Sequence, residues 1–181
     1  MPRSKFFACG VAGLGLFTAL AAGDPAKKAA GDNGDTNAAF ERLKKLAGDW
    51  QYANPKDEAS KGQTVVRYRV IAGGSAVVET IFPDTDMEMV SVYHRDGDQL
   101  VMTHYCCCGN QPHMKAKTGA DKDDLIFEFA GGRNLNPAKD THMHGFRVRF
   151  RDADNLHSEC DLYSNGKLTE KHSFDLVRKQ P

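Results

Sequence analysis

The segment His104–Met114, HYCCCGNQPHM, sets three adjacent cysteines between two histidines and ahead of a methionine. The whole chain has only five cysteines in 181 residues, so this one stretch holds most of its thiols. Thiolate sulfur and imidazole nitrogen suit copper or zinc, and thioether sulfur from Met102 or Met114 tilts the choice towards copper. Cys106 and Cys108 can meet on one strand face or by curling together at the Gly109-Asn110 turn. Their spacing is neither a zinc ribbon nor a C-x-x-C motif. The structural rival is a bridge from one of the three to Cys160, leaving the other two free or buried as small apolar groups.

A second constellation lies in THMHGFRVRFR, residues 141–151. Strand alternation gives Arg147, Arg149 and Arg151 one face, which belongs in water. Phe146, Val148 and Phe150 then point inward, and parity carries His142 and His144 with them as a chelating pair. In NLHSECDLY, Leu156, Ser158, Cys160 and Leu162 share the inward face. If Phe150 pairs with Leu156, His144 falls opposite Leu162 and diagonal to Cys160, about 7–8 Å away at the backbone. The candidate ligands are therefore Cys106, Cys108, His142 and His144, with His104, Cys107, Cys160 and Met114 in reserve. The bland alternative for His142 and His144 is a pair of hydrogen-bonded core histidines. Surface positions account for His94, His157 and His172.

The elements that must position these groups are short strands. Asp96-Gly97 has the chemistry of a two-residue hairpin turn, pairing Arg95 with Asp98, Met89 with His104 and Met87 with Cys106. One face of that hairpin holds Met87, Met89, Ser91, Tyr93, Leu100, Met102, His104 and Cys106; the other holds Val90, Val92, Val101, Thr103 and Tyr105. Alternation alone leaves either face free to be the interior; hydrophobicity favours the valine face, which would leave the sulfur face exposed or in a second interface. Further turn signals, AGGS, DKDD, DADN and SNGK, divide the chain into about ten strands at roughly 8–12-residue spacing. That pattern predicts an all-β, antiparallel up-and-down barrel. Phe40, Leu43 and Leu46 at helical spacing predict one short N-terminal helix ahead of it.

The first residues read as export machinery. Arg3 and Lys5 precede the apolar run Phe6–Leu20, and ALAAG offers a cleavage site after Ala21 or Ala22. The run falls short of the about 20 residues of a comfortable membrane span. The expected organisation is a secretory signal over 1–22, a disordered leader over 23–37 and a barrel domain over 38–181. The mature protein would be periplasmic or secreted, where disulfides are plausible. The 24 basic and 24 acidic residues balance, and nucleic acid is not an expected partner. No phosphate loop, nucleotide fingerprint or catalytic triad is present, so no enzymatic activity is assigned. Acid–base chemistry by Glu79 or Asp175 near His142 is the nearest approach to one.

AGDW, with Gly48 and Trp50, resembles the G-x-W opening of lipocalins and other calycins. In those families the tryptophan packs across one barrel end against a basic residue of the last strand, a role the resemblance gives to Arg178. It also implies an apolar cavity for a small hydrophobic molecule, lined here by Tyr68, Phe82, Phe127, Phe129, Phe146 and Phe150. A non-covalent haem on His142 or His144 is the variant implied by nitrobindin-like barrels. HYCxxGNQP is similar to a segment of uncharacterised secreted bacterial proteins and brings no activity with it. The leading expectation is an exported binding barrel with a Cys/His copper or zinc site; the alternative is a metal-free carrier with a disulfide-stapled barrel. An exposed methionine- or valine-rich sheet face would favour a homodimer.

Overall fold

Tight turns and alternating side chains organise the chain from Gly48 onward into ten antiparallel strands. The computed structural model describes residues 33–117 and 123–180; the expected signal and most of the expected leader lie outside them. The strands are β1 (Gly48–Tyr52), β2 (Val66–Ile71), β3 (Ala76–Ile81), β4 (Met89–Asp96) and β5 (Gln99–Tyr105). They continue as β6 (Gln111–Ala116), β7 (Asp124–Arg133), β8 (His142–Phe150), β9 (Asn155–Ser164) and β10 (Lys167–Arg178). Each pairs with its sequence neighbours, and β1 pairs with β10, so the sheet closes with no free edge. At the β9–β10 turn Asn165 and Gly166 have φ of +52° and +69°, the type I′ signature of an Asn-Gly hairpin.

Helix α1 (Asn33–Lys44) plugs one barrel end. Phe40 and Leu43 on its inner face, with Leu46 just beyond it, are buried, each burial stabilising by about 1.5–3 kcal/mol. The helix starts five residues before the apolar pattern does. Thr36 Oγ1 donates to the Asp98 carbonyl at 2.9 Å, and Asn37 contacts the Arg95 guanidinium. Anchoring to the β4–β5 turn therefore extends it through residues that composition alone assigns to the leader. No helix among the described residues is long and apolar enough to cross a membrane.

Trp50 and Arg178 seal the plugged end. Trp50 Nε1 donates to the Leu46 carbonyl at 2.8 Å, and the Arg178 guanidinium carbon lies 4.4 Å from the Trp50 ring centre. Arg178 also donates to the carbonyls of Ala47 (2.8 Å) and Lys45 (2.9 Å). One side chain thus satisfies the carbonyls of the helix-to-strand turn while capping the tryptophan face.

Two expectations about facing are corrected. The β4–β5 turn is Gly97-Asp98, with Asp96 opposite Gln99 and Ser91 opposite His104. Gly97 takes the left-handed position (φ +59°), which moves each partner along by two and leaves the faces unchanged. The sulfur and imidazole face, Ser91, Tyr93, Met102 and His104, is the interior; Val90 and Val92 are only half-buried and Tyr105 is exposed. Parity is shared across a ladder, so this hairpin follows its neighbours rather than its own hydrophobicity.

The second correction is in β8. Phe150 does pair with Leu156, and Phe146 with Cys160, but a bulge falls between Met143 and Gly145. His144 is the extra residue. Beyond it Met143 faces Leu162 and enters the core, while His144 lines a groove beside Arg147, Glu159 and Asp161. The two histidines therefore do not continue the Phe146–Val148–Phe150 face.

A candidate metal centre at the cysteine turn

Cys106 to Asn110 form the connection between β5 and β6. Cys106 N–H donates to the Asn110 carbonyl at 3.1 Å, and Gly109 N–H to the Cys106 carbonyl at 2.9 Å. Gly109 has φ +79°, so the chain turns and then reverses through a left-handed glycine, the usual three-residue hairpin loop. This tight loop brings the three thiols together. The sulfurs of Cys106, Cys107 and Cys108 all lie within 4.8 Å of one another, with Cys106 half-buried and the other two exposed. Among the described residues no other group of three or more His, Cys, Asp or Glu ligand atoms is so close.

The bridge to Cys160 is not formed, and all four described cysteines are free. Cys160 sits on β9 between Phe146 and His172, facing into the barrel. Burial pushes its thiol up to about 12, with the charges of Asp161, Cys106 and Glu79 adding to the effect. Cys106 is likewise pushed up to about 12, first by burial. A backbone hydrogen bond from Cys108 opposes that rise, while the charges of Cys108 and Cys107 reinforce it. A bound cation would reverse the balance by coordinating the thiolates.

Of the reserve ligands, Cys107 joins the cluster, whereas His104 and Met114 are engaged elsewhere. His104 is buried beneath the turn, its Nδ1 3.0 Å from Ser91 Oγ, and burial lowers its pKa to about 4. Met114 pairs with Met102 inside the barrel and is fully buried. The donor set that comes together is sulfur alone.

His142 and His144 form a pair of their own. The Asp140 carbonyl accepts from His142 Nδ1–H at 2.8 Å, and His142 Nε2 lies 3.1 Å from His144 Nδ1. His144 stacks on Tyr163 at 3.9 Å and on Phe129 at 4.8 Å. Burial and the charge of His142 lower its pKa, against the pull of Asp161. Both nitrogens of His142 are thus occupied and His144 is held between two rings, an arrangement that offers haem little. Asn110 is the tie to the cysteine turn: its Nδ2 donates to the Thr141 carbonyl at 2.8 Å. Its Oδ1 is buried without a partner in the described structure.

Below the rim runs a polar row that sequence reading did not assemble. Tyr68, Glu79, Ser91 and His104 face one another across β2 to β5. Glu79 is buried and accepts from Tyr68 Oη at 2.6 Å and Tyr93 Oη at 2.5 Å. Burial raises its pKa, and the hydroxyls of Tyr68, Tyr93 and Ser91 hold it back. The available signal was Glu79 between Val77 and Ile81 on one strand face. Asp175, the other candidate acid, lies 2.8 Å from His157 instead.

The residues expected to line a hydrophobic cavity largely fill the lumen. Tyr68, Phe127 and Phe146 are buried, with ring centres 5.4 Å apart for Tyr93–Phe127 and 6.4 Å for Phe127–Phe146. Phe82 packs on Phe174 at 6.0 Å, and Phe150 lies 4.1 Å beneath the Arg42 guanidinium. The closed, antiparallel, ten-stranded barrel is consistent with a calycin-like architecture. No protein-family model and no curated protein matches the chain. What it binds must therefore be argued from the site.

Proposed function

We propose that this protein is an exported barrel that binds a soft metal ion, copper in its monovalent state, at Cys106, Cys107 and Cys108. The observation that carries the reading is the meeting of three thiols within 4.8 Å on one turn. Thiolate donors select soft ions, whereas zinc in a structural site takes four ligands and divalent copper favours nitrogen and oxygen. The basic and apolar start of the sequence, Arg3 to Leu20, supports delivery outside the cytoplasm.

The test is metal analysis of exported protein together with a free-thiol count before and after metal removal. Copper near one per chain, with three thiols unmasked on its removal, is the expected result. A triple change of Cys106, Cys107 and Cys108 to serine abolishes that copper, while His142→Ala with His144→Ala leaves it. Copper retained by the triple variant would overturn the assignment. Copper lost from the histidine variant would restore a mixed Cys/His centre.

A further inference from the structure

We propose that the cysteine turn takes a trivalent metalloid oxyacid, arsenous acid being the simplest, by condensing it with all three thiols. The inference rests on the reading of this turn as a thiophilic site and names a further class of ligand for it.

Geometry is the first argument. The three sulfurs come from one turn, and Cys107 and Cys108 are exposed on it. A centre held there receives three donors from the protein side and faces water on the other. Trivalent arsenic makes three bonds and keeps a lone pair in the fourth direction, so a one-sided set of three completes it. Zinc would need a fourth ligand, and the nearby imidazoles are engaged: His104 with Ser91, His142 with His144.

Charge is the second argument. Three thiolates carry three negative charges. A monovalent ion leaves two uncancelled, a divalent ion one, and a trivalent centre none. Cys106 is half-buried. An uncancelled charge there is costly.

The third argument is the proton balance. In the condensation As(OH)3 + 3 RSH → As(SR)3 + 3 H2O, three As–O and three S–H bonds break. Three As–S and three O–H bonds form, arsenic stays trivalent, and no proton is released. A metal cation must instead displace protons from thiols.

The experiment titrates the reduced full-length protein with arsenous acid and, in parallel, with chelator-buffered copper(I). One arsenic per chain is expected, with loss of three free thiols and a mass gain of one arsenic less three hydrogens. Arsenic affinity stays level between about pH 6 and about pH 8, while copper(I) affinity rises over that range. Cys106→Ser, Cys107→Ser and Cys108→Ser each weaken arsenic binding at least about tenfold, with circular dichroism unchanged; Cys160→Ser does not weaken it. Loss of only two thiols, or full affinity in Cys106→Ser, would overturn the three-thiol condensation. Copper binding without arsenic binding would overturn this inference and leave the proposed function standing; binding of neither would remove both.

Discussion

The two ends of this barrel are built from different materials. At the plugged end, Leu43 and Leu46 meet Trp50, Leu100, Leu125, Leu156 and Leu176, all buried and apolar. Towards the other end the interior carries Glu79, Ser91, His104 and Cys160, and the rim carries three thiols. Apolar burial stabilises roughly in proportion to area, whereas buried carboxyl and imidazole groups cost stability unless hydrogen-bonded. The first end can therefore supply the stability that lets the second hold groups chosen for chemistry. The changes below, in descending order of expected effect, would break or sharpen that contrast.

Leu43→Ala or Trp50→Ala should cost about 3–5 kcal/mol, read as a lower urea midpoint. Ion stoichiometry in the fraction that stays folded should remain that of the parent. A loss below about 1 kcal/mol would show that the helix plug is not the stabilising end.

The polar end should govern the response to acid. His104 has its folded pKa lowered to about 4, against about 6.5 unfolded. The unfolded chain takes up the proton first, so the stability due to neutral His104 is intact above about 6.5 and drains away as pH falls towards about 4. The loss is on the order of 3 kcal/mol, and His104→Gln should flatten it. Glu79 acts with the opposite sign. Its raised folded pKa means its contribution is greatest below the ordinary carboxyl range and is lost as pH rises through that range towards the raised value. Glu79→Gln should therefore steepen the acid loss seen in urea titrations across pH. A variant with an unchanged profile would remove that group from the balance.

Arg178→Ala should cost about 2 kcal/mol, since it uncovers Trp50 and strands the carbonyls of Ala47 and Lys45. Arg178→Lys should recover only part, because one ammonium cannot both stack and fork. Equal stability of the two variants would show that the positive charge contributes nothing at this end. Gly109→Ala should cost about 1 kcal/mol through its left-handed backbone alone, because an added Cβ meets no atom within 4 Å. It should weaken ion binding more than it weakens the fold. Cys107→Ser and Cys108→Ser should change stability by less than about 0.5 kcal/mol. A larger loss in calorimetry would mean that the exposed thiols belong to the scaffold.

The plugged end was the more legible of the two in the amino-acid pattern. Phe40, Leu43 and Leu46 mark the helix, the Asn-Gly and Asp-Gly pairs mark hairpins, and Phe150 pairs with Leu156 as alternation requires. The rim was less legible because its arrangement depends on departures from periodicity. One inserted residue at His144 exchanges the facing of Met143 and the histidines, and no residue type in THMHG announces it. The interior position of Met102 and His104 comes from ladder neighbours far along the chain, which local hydrophobicity does not encode. The turn geometry at Gly109 was foreshadowed by the Gly-Asn pair. That it gathers three sulfurs while leaving both histidine candidates apart was not.

The seam between β1 and β10 has a consequence for the order of assembly. Arg178 reaches the carbonyls of Lys45 and Ala47 across more than a hundred residues, and Trp50 finds its strand partner at Arg178. Because β10 is made after the other nine strands, a growing chain can lay down hairpins one by one but cannot close the ring. Until that last strand arrives, β1 has one unpaired edge and Trp50 lacks its cover, so closure is a late, long-range event of the kind that slows β-rich folding. The cysteine turn, by contrast, joins consecutive strands, so its thiols come together before the vessel beneath them is shut.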